Sequence, residues 1–368
     1  MNPSCDIFCA VVDNLGDAGV SWRLARQLTV EHGWRVRLWI DDTAPLALLR
    51  PGIDQALERQ SVDGVEIRIW SAPFPVVTPA QIVIEAFACE LPPAYVAAMA
   101  EQPRQPVWIN LEYLSAEDWV AGCHGLASPH PRLPLSKHFF FPGFASGTGG
   151  LIRERNLAVP PAPTFSGPLT VSLFCYDNPA LPGLLDAWAA GSEPLECCVA
   201  DGLPRRRVAN WLGAPFPAGA LAERGALSLR ALPFVPQANY DSSLSACDLN
   251  FVRGEDSFVR AQWAERPFVW QIYPQADDVH HGKLEAFLNL YSEGLDETTA
   301  VALTDFWRAW NGKGDVAAAW PAFRAALPAL APHGPAWARQ MRSIGDLAGN
   351  LAREALNKPS RKDAMATN

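Results

Sequence analysis

Cys5-Asp6-Ile7-Phe8-Cys9-Ala10-Val11-Val12 runs straight into Asp13-Asn14-Leu15-Gly16-Asp17-Ala18-Gly19, and then into Val20–Glu31. The first segment is an apolar run of strand length. The last repeats its apolar residues at helical spacing, in Trp22, Leu24, Ala25 and Leu28. A second apolar run, Arg35–Ile40, follows directly. Strand, helix and strand at this rhythm predict a βαβ unit in a mostly parallel sheet, and so an α/β fold.

The rhythm continues outward from that unit. Val65–Trp70, Ile82–Ala88, Pro106–Leu111 and Lys137–Phe141 are further candidate strands. Near Phe144–Gly150 the glycines and small polar residues predict a linker, and a proline-rich stretch, Pro160–Pro168, follows. The pattern then restarts with strands Leu169–Tyr176, Leu195–Ala200, Leu227–Leu232, Leu249–Val252 and Phe268–Tyr273. Helices are predicted over Ser257–Glu265, over Val279–Leu290 and through most of the last sixty or so residues. With 368 residues, the chain is long enough for two cores. The expected domains are 1–150, an acceptor-side Rossmann-like unit, and 151–357, a nucleotide-sugar unit. Its last helices are free to pack back on the first, and 358–368 is expected to be a disordered tail.

Composition narrows the function. Hydrophobic residues make up 49% and charged residues 19%, as in a folded globular protein. No apolar run reaches the roughly 18 residues of a membrane helix, and the N-terminus lacks the pattern of an export signal. A cytoplasmic protein is expected, with its eight cysteines reduced. A net charge of −9 argues against nucleic acid or an anionic membrane as the main partner. There is no C-x-x-C, no H-E-x-x-H and no D-x-D, and the adjacent His280 and His281 make a poor metal pair, so no metal is expected.

Two strand-end motifs carry chemistry. In the first, Gly16 and Gly19 allow a tight turn and close approach of a ligand, with Asn14 beside them. Asp13 and Asp17 suit a cationic or hydroxylic nucleophile, one acid orienting it and the other accepting its proton. The same two residues read equally well as a turn former and a helix cap. The second motif, Arg253-Gly254-Glu255-Asp256-Ser257, ends a strand and opens a helix. A diphosphate fits the positive end of that helix, with Gly254 giving access and Ser257 a hydroxyl. Glu255 and Asp256 are placed to hold sugar or ribose hydroxyls, although Asp256 or Ser257 also reads as an ordinary cap. Phe234 and Gln237 offer a face and an amide for a base, Tyr176 flanks them, and Gln271 and Tyr273 share one side of a strand. Asn110, Glu112 and Tyr113 are further candidates, or simply strand-end packing.

Taken in order, these motifs resemble the protein-arginine rhamnosyltransferases that modify bacterial translation elongation factor P (the EarP family). The resemblance runs through Asp13–Asp17 with Trp22-Arg23, Trp108–Ser115, Phe139–Phe144, Gly149–Glu154, Phe234–Gln237, Arg253–Ser257 and Trp270–Gln275. It implies a GT-B fold, two facing Rossmann-like domains with a central cleft. The implied donor is dTDP-β-L-rhamnose, transferred with inversion to an arginine of elongation factor P without a cofactor. It further implies Asp17 as general base with Asp13 as its partner, and Glu255 as a third required acid. Tyr176, Phe234, Gln237, Asp256, Ser257 and Tyr273 match the donor-binding positions. A GT-B enzyme with another donor or acceptor, such as a UDP-sugar or heptosyl transferase, and a non-catalytic nucleotide-sugar-binding regulator are the competing readings. A dehydrogenase is disfavoured because G-x-G-x-x-G is missing.

Overall fold

The computed structural model describes residues 2–13, 15–158, 167–275 and 279–358. Met1, Asn14, the stretch 159–166, residues 276–278 (with Asp277 and Asp278) and residues 359–368 lie outside the described residues. The chain forms two compact units, one of residues 1–157 with 341–368 and one of residues 158–340.

The first unit opens with β1 (Ser4–Cys9), α1 (Leu15–His32), β2 (Arg35–Ile40), α2 (Ala44–Leu49), β3 (Arg59–Val62) and β4 (Val65–Ile69). It continues with β5 (Ile82–Ala86), α3 (Pro93–Glu101), β6 (Val107–Leu111), α4 (Trp119–Cys123), β7 (Ala127–Pro129) and β8 (Ser136–Phe140). Its sheet runs β3-β4-β2-β1-β5-β6-β8-β7, parallel except for the two edge hairpins β3–β4 and β7–β8. The six parallel strands therefore follow the doubly wound order 3-2-1-4-5-6. β1 is buried along nearly its whole length because helices cover both faces.

Asp6 breaks the apolar run of β1, yet it is fully buried. Arg37 holds it with two hydrogen bonds of 2.5 Å, and Trp39 Nε1, the Ala80 N–H and the Tyr95 hydroxyl complete the set. A buried carboxylate is tolerable only when paired and hydrogen-bonded in this way.

The second unit contains β9 (Leu169–Leu173), α5 (Leu181–Ala190), β10 (Leu195–Val199), α6 (Leu203–Leu212), β11 (Leu221–Arg224), β12 (Leu227–Ala231) and α7 (Gln237–Ser245). β13 (Leu249–Arg253), α8 (Asp256–Trp263), β14 (Phe268–Gln271), α9 (Val279–Tyr291), α10 (Glu297–Trp310) and α11 (Val316–Ile344) complete it, the last residues of α11 belonging to the first unit. Its sheet order, β11-β12-β10-β9-β13-β14, repeats the first: an antiparallel edge strand, then parallel strands in the order 3-2-1-4-5.

The last helix, α12 (Leu347–Asn357), belongs to the first unit and packs on α1. Residues 151–157 stay with that unit too, beyond the boundary expected at 150. The cause is local: Leu151 bridges Asp346, and Gln27 on α1 donates to both the Arg153 carbonyl and Asp346. Lys358, expected in the tail, pairs with Glu354 at 2.9 Å. Among the described residues, no helix is long and apolar enough to cross a membrane.

The first motif departs from the expected strand, loop and helix. β1 stops at Cys9, not Val12, and α1 starts at Leu15, not Val20. The N–H groups of Val11, Val12 and Asp13 donate to carboxylates, Asp41 for the first and Asp17 for the others, instead of extending the sheet. Asp17 thus sits in the first helical turn, and the two glycines are helical.

Candidate active site

In a doubly wound sheet, ligands bind beyond the carboxyl ends of the strands where the winding reverses. That point lies between β1 and β5 in the first unit and between β9 and β13 in the second. Both motifs leave strands at these points.

In the first unit, Asp17 is only 2% exposed. Its Oδ2 accepts the N–H groups of Val12 at 2.9 Å and Asp13 at 2.8 Å. The carboxylate therefore braces the loop, and this commits one oxygen. Asp13 is half-buried, and its carbonyl accepts the Gly16 N–H. A Cβ on Gly16 would stand 2.6 Å from Asp13 Oδ2, so only glycine lets the Asp13 carboxylate lie against the helix start. Beyond β5 in the same sheet, the end of β6 carries Asn110, whose Nδ2 donates to Glu112 while its buried Oδ1 has no partner among the described residues. Tyr113 stacks on Phe87.

In the second unit, the Arg253 guanidinium lies 4.5 Å over the Phe174 ring and 4.3 Å over the Tyr176 ring. Its Nε is buried with no partner among the described residues. Gly254 follows at φ +60°, a left-handed conformation natural to glycine. Its carbonyl accepts Trp270 Nε1 at 2.7 Å. α8 then begins, with Glu255 at its cap position making no side-chain cap bond.

Ser257 accepts the Arg253 N–H at 3.0 Å and donates to the Arg253 carbonyl, so its hydroxyl locks the loop. Gln237, expected to meet a base, is buried and donates to Asp256 at 3.0 Å, tying the start of α7 to the start of α8. Phe234 is half-buried in the loop after β12. Gln271 accepts the Tyr176 N–H at 2.8 Å, and Tyr273 packs edge-on to Tyr176.

The structure thus gathers Tyr176, Arg253, Gly254, Gln271 and Tyr273 at one strand-end locus, and joins Gln237 to Asp256 beside it. Phe174, Trp270 and Asp41 were not anticipated. A strand-end aromatic two residues before Tyr176 was the available signal for Phe174; a tryptophan inside a strand and one acid of an adjacent pair signal nothing by themselves.

A family model described as elongation-factor P (EF-P) rhamnosyltransferase EarP matches residues 5–355. The chain belongs to the EarP family. A protein-arginine rhamnosyltransferase of Pseudomonas putida is 47% identical over 373 residues, covering 95% of this chain and 98% of that protein. A solved structure addressing EarP-mediated arginine glycosylation of EF-P is 34% identical, with a TM-score of 0.66 over 97% of this chain and 100% of the other. The calicheamicin glycosyltransferase CalG4, at 13% identity and a TM-score of 0.54 over 97% of this chain and 99% of that one, shares the fold alone. The EarP-family chain has the GT-B glycosyltransferase fold.

Proposed function

We propose that this EarP-family enzyme is a cytoplasmic protein that transfers L-rhamnose from dTDP-β-L-rhamnose to an arginine of translation elongation factor P, inverting to an α-rhamnosyl linkage. The match to the family over residues 5–355 carries this reading. Two features of the site support it chemically.

The first is a cation beside a helix start. Departure of dTDP leaves negative charge on the diphosphate. The Arg253 guanidinium and the orphan N–H groups that open α8 offset that charge without a metal ion. Tyr176, Phe234 and Tyr273 supply aromatic surface for the nucleoside, and Gln271 fixes the Tyr176 backbone.

The second is a positioned carboxylate. Arginine is a poor nucleophile because its guanidinium stays protonated, with a pKa above about 12. Its nitrogen becomes acidic only as it bonds to the sugar carbon. In our reading, the nitrogen attacks C1, the C1–O bond to diphosphate breaks, and the proton passes to Asp17. Backbone amides occupy Asp17 Oδ2, so Oδ1 takes the proton. Asp13 shares the cation's charge, and Glu255 orients the sugar.

Incubation with dTDP-β-L-rhamnose and elongation factor P, read by intact mass, tests the reading. A gain of one deoxyhexose on an arginine is expected. Transfer only from a UDP-sugar, or binding without turnover, overturns it.

A further inference from the structure

The outer strands of the first sheet differ between their two faces. α1 packs on β2 and β4, where Val36, Leu38, Val65 and Ile67 are buried. On the other face, the register sets Asp6, Arg37, Glu66 and Ser61 side by side across β1, β2, β4 and β3. Phe8, Trp39, Arg68 and Arg59 form the next row on the carboxyl side of β2, and Ser4 and Arg35 pair on its amino side. Parallel strands normally have both faces covered by apolar packing. Here Arg35, Arg37, Arg59, Ser61, Glu66 and Thr78 line a hollow of about 760 Å³, and Arg35, Arg59, Ser61 and Thr78 are exposed.

The charges in these rows do not balance. Arg37 is engaged by the buried Asp6 carboxylate and by the Thr78 carbonyl. Arg59 and Arg68 share a single oxygen of Glu66, at 2.8 and 2.6 Å, with the Arg68 guanidinium 5.1 Å over the Trp39 ring. Arg35 has no ion pair among the described residues. Four guanidiniums thus meet two carboxylates, in a chain whose net charge is −9. The positive surplus is local and runs against the field of the whole molecule. Guanidinium forks match phosphate oxygens in a bidentate way, and hydroxyl groups at Ser61 and Thr78 add donors.

We propose that this hollow binds a short phosphate chain, held by Arg35 and Arg59. It is separate from the proposed donor site, because it belongs to the first unit and Arg253 to the second. Within its own unit it lies where β1 and β2 begin, whereas the acid-bearing loop leaves the far end of β1. Among the described residues that line it, the aromatic ring of Trp34 is buried, so the phosphates are recognised and a base is not. Free oligophosphate and the phosphate tail of a nucleotide share this chemistry.

Isothermal titration of sodium tripolyphosphate into the full chain, with excess dTDP present to fill the donor site, tests the proposal. One equivalent should bind, with an affinity that falls as salt rises. Arg35→Glu and Arg59→Glu should each weaken binding by at least ~10-fold, and Arg35→Gln by a smaller factor. Both arginines are exposed, so thermal melts of the free variants should match wild type. Arg253→Met should bind tripolyphosphate as wild type does. ATP should bind no more tightly than tripolyphosphate, which separates a phosphate site from a nucleotide site. No binding at millimolar tripolyphosphate, binding that survives both charge reversals, binding lost in Arg253→Met, or binding of ATP alone overturns the proposal.

Discussion

The Asp13 N–H and the Asp17 carboxylate meet at 2.8 Å, and the same Asp17 oxygen also holds the Val12 N–H. In the proposed mechanism, bracing and proton transfer therefore draw on different oxygens of one side chain. Asp17→Asn keeps an oxygen for the two amides and removes the proposed base. It should lower kcat by about 10²–10⁴-fold while leaving the Tm and dTDP affinity near wild type. Asp17→Ala removes the brace as well and should also lose about 1–3 kcal/mol of stability. Calorimetry beside single-turnover kinetics separates the two, and a fully active Asp17→Asn variant would remove Asp17 from the chemistry.

Gly16 makes a second test of the same loop. In Gly16→Ala the new methyl group meets the Asp13 carboxylate at 2.6 Å, so one of them must move. Because the group met is the end of a half-buried side chain, and alanine favours a helix over glycine by about 1 kcal/mol, the Tm should stay near wild type while kcat falls by more than any change in donor KM. Thermal melts and initial rates check both.

Arg253 lies on two aromatic faces, a geometry that suits a planar guanidinium better than an ammonium. Arg253→Met should weaken dTDP binding by roughly tenfold or more, consistent with a lost charge-assisted contact of about 1.5–3 kcal/mol. Arg253→Lys should recover only part of it. Isothermal titration with dTDP measures this, and wild-type affinity in Arg253→Met would place the diphosphate elsewhere.

Glu354 on α12 gives a pH dependence. Burial pushes its carboxyl up, but hydrogen bonds from His124 and Lys358 outweigh that and hold it at about 2, below its ordinary 4.5. His124 Nδ1 accepts the Phe141 N–H, so its Nε2 carries the proton that faces Glu354. A depressed folded value contributes stability that is complete above about pH 4.5 and lost as pH falls toward 2. Glu354→Gln should reduce stability at neutral pH and flatten the acid limb in that window. Parallel acid-unfolding curves for the two proteins would refute it.

The parallel core of both sheets was legible because βαβ spacing and near-continuous apolar strands leave few other topologies. The edge hairpins were not read. One had a usable signal: Asp63-Gly64, both at positive φ, turns β3 into β4. Asp6 was hidden inside an apolar run because its partners Arg37, Ala80 and Tyr95 are distant in sequence. α11 carries Pro321, Pro328, Pro332 and Pro335 within its span. Helical spacing predicted a helix there, although local propensity opposes one. At the site, residue types announced the two strand-end loops. They did not announce that Ser257 and Gln237 spend their polar groups on the protein itself, since such bonds depend on the packing of α7 against α8.

The return of α12 to α1 makes the first unit discontinuous. During synthesis, the nascent N-terminal sheet must wait, with one flank of α1 uncovered, while some 180 intervening residues emerge and collapse into their own core. The cover of α1 is thereby deferred until residues 347–357 have been made, and a polypeptide cut short before residue 347 keeps a first helix that lacks it.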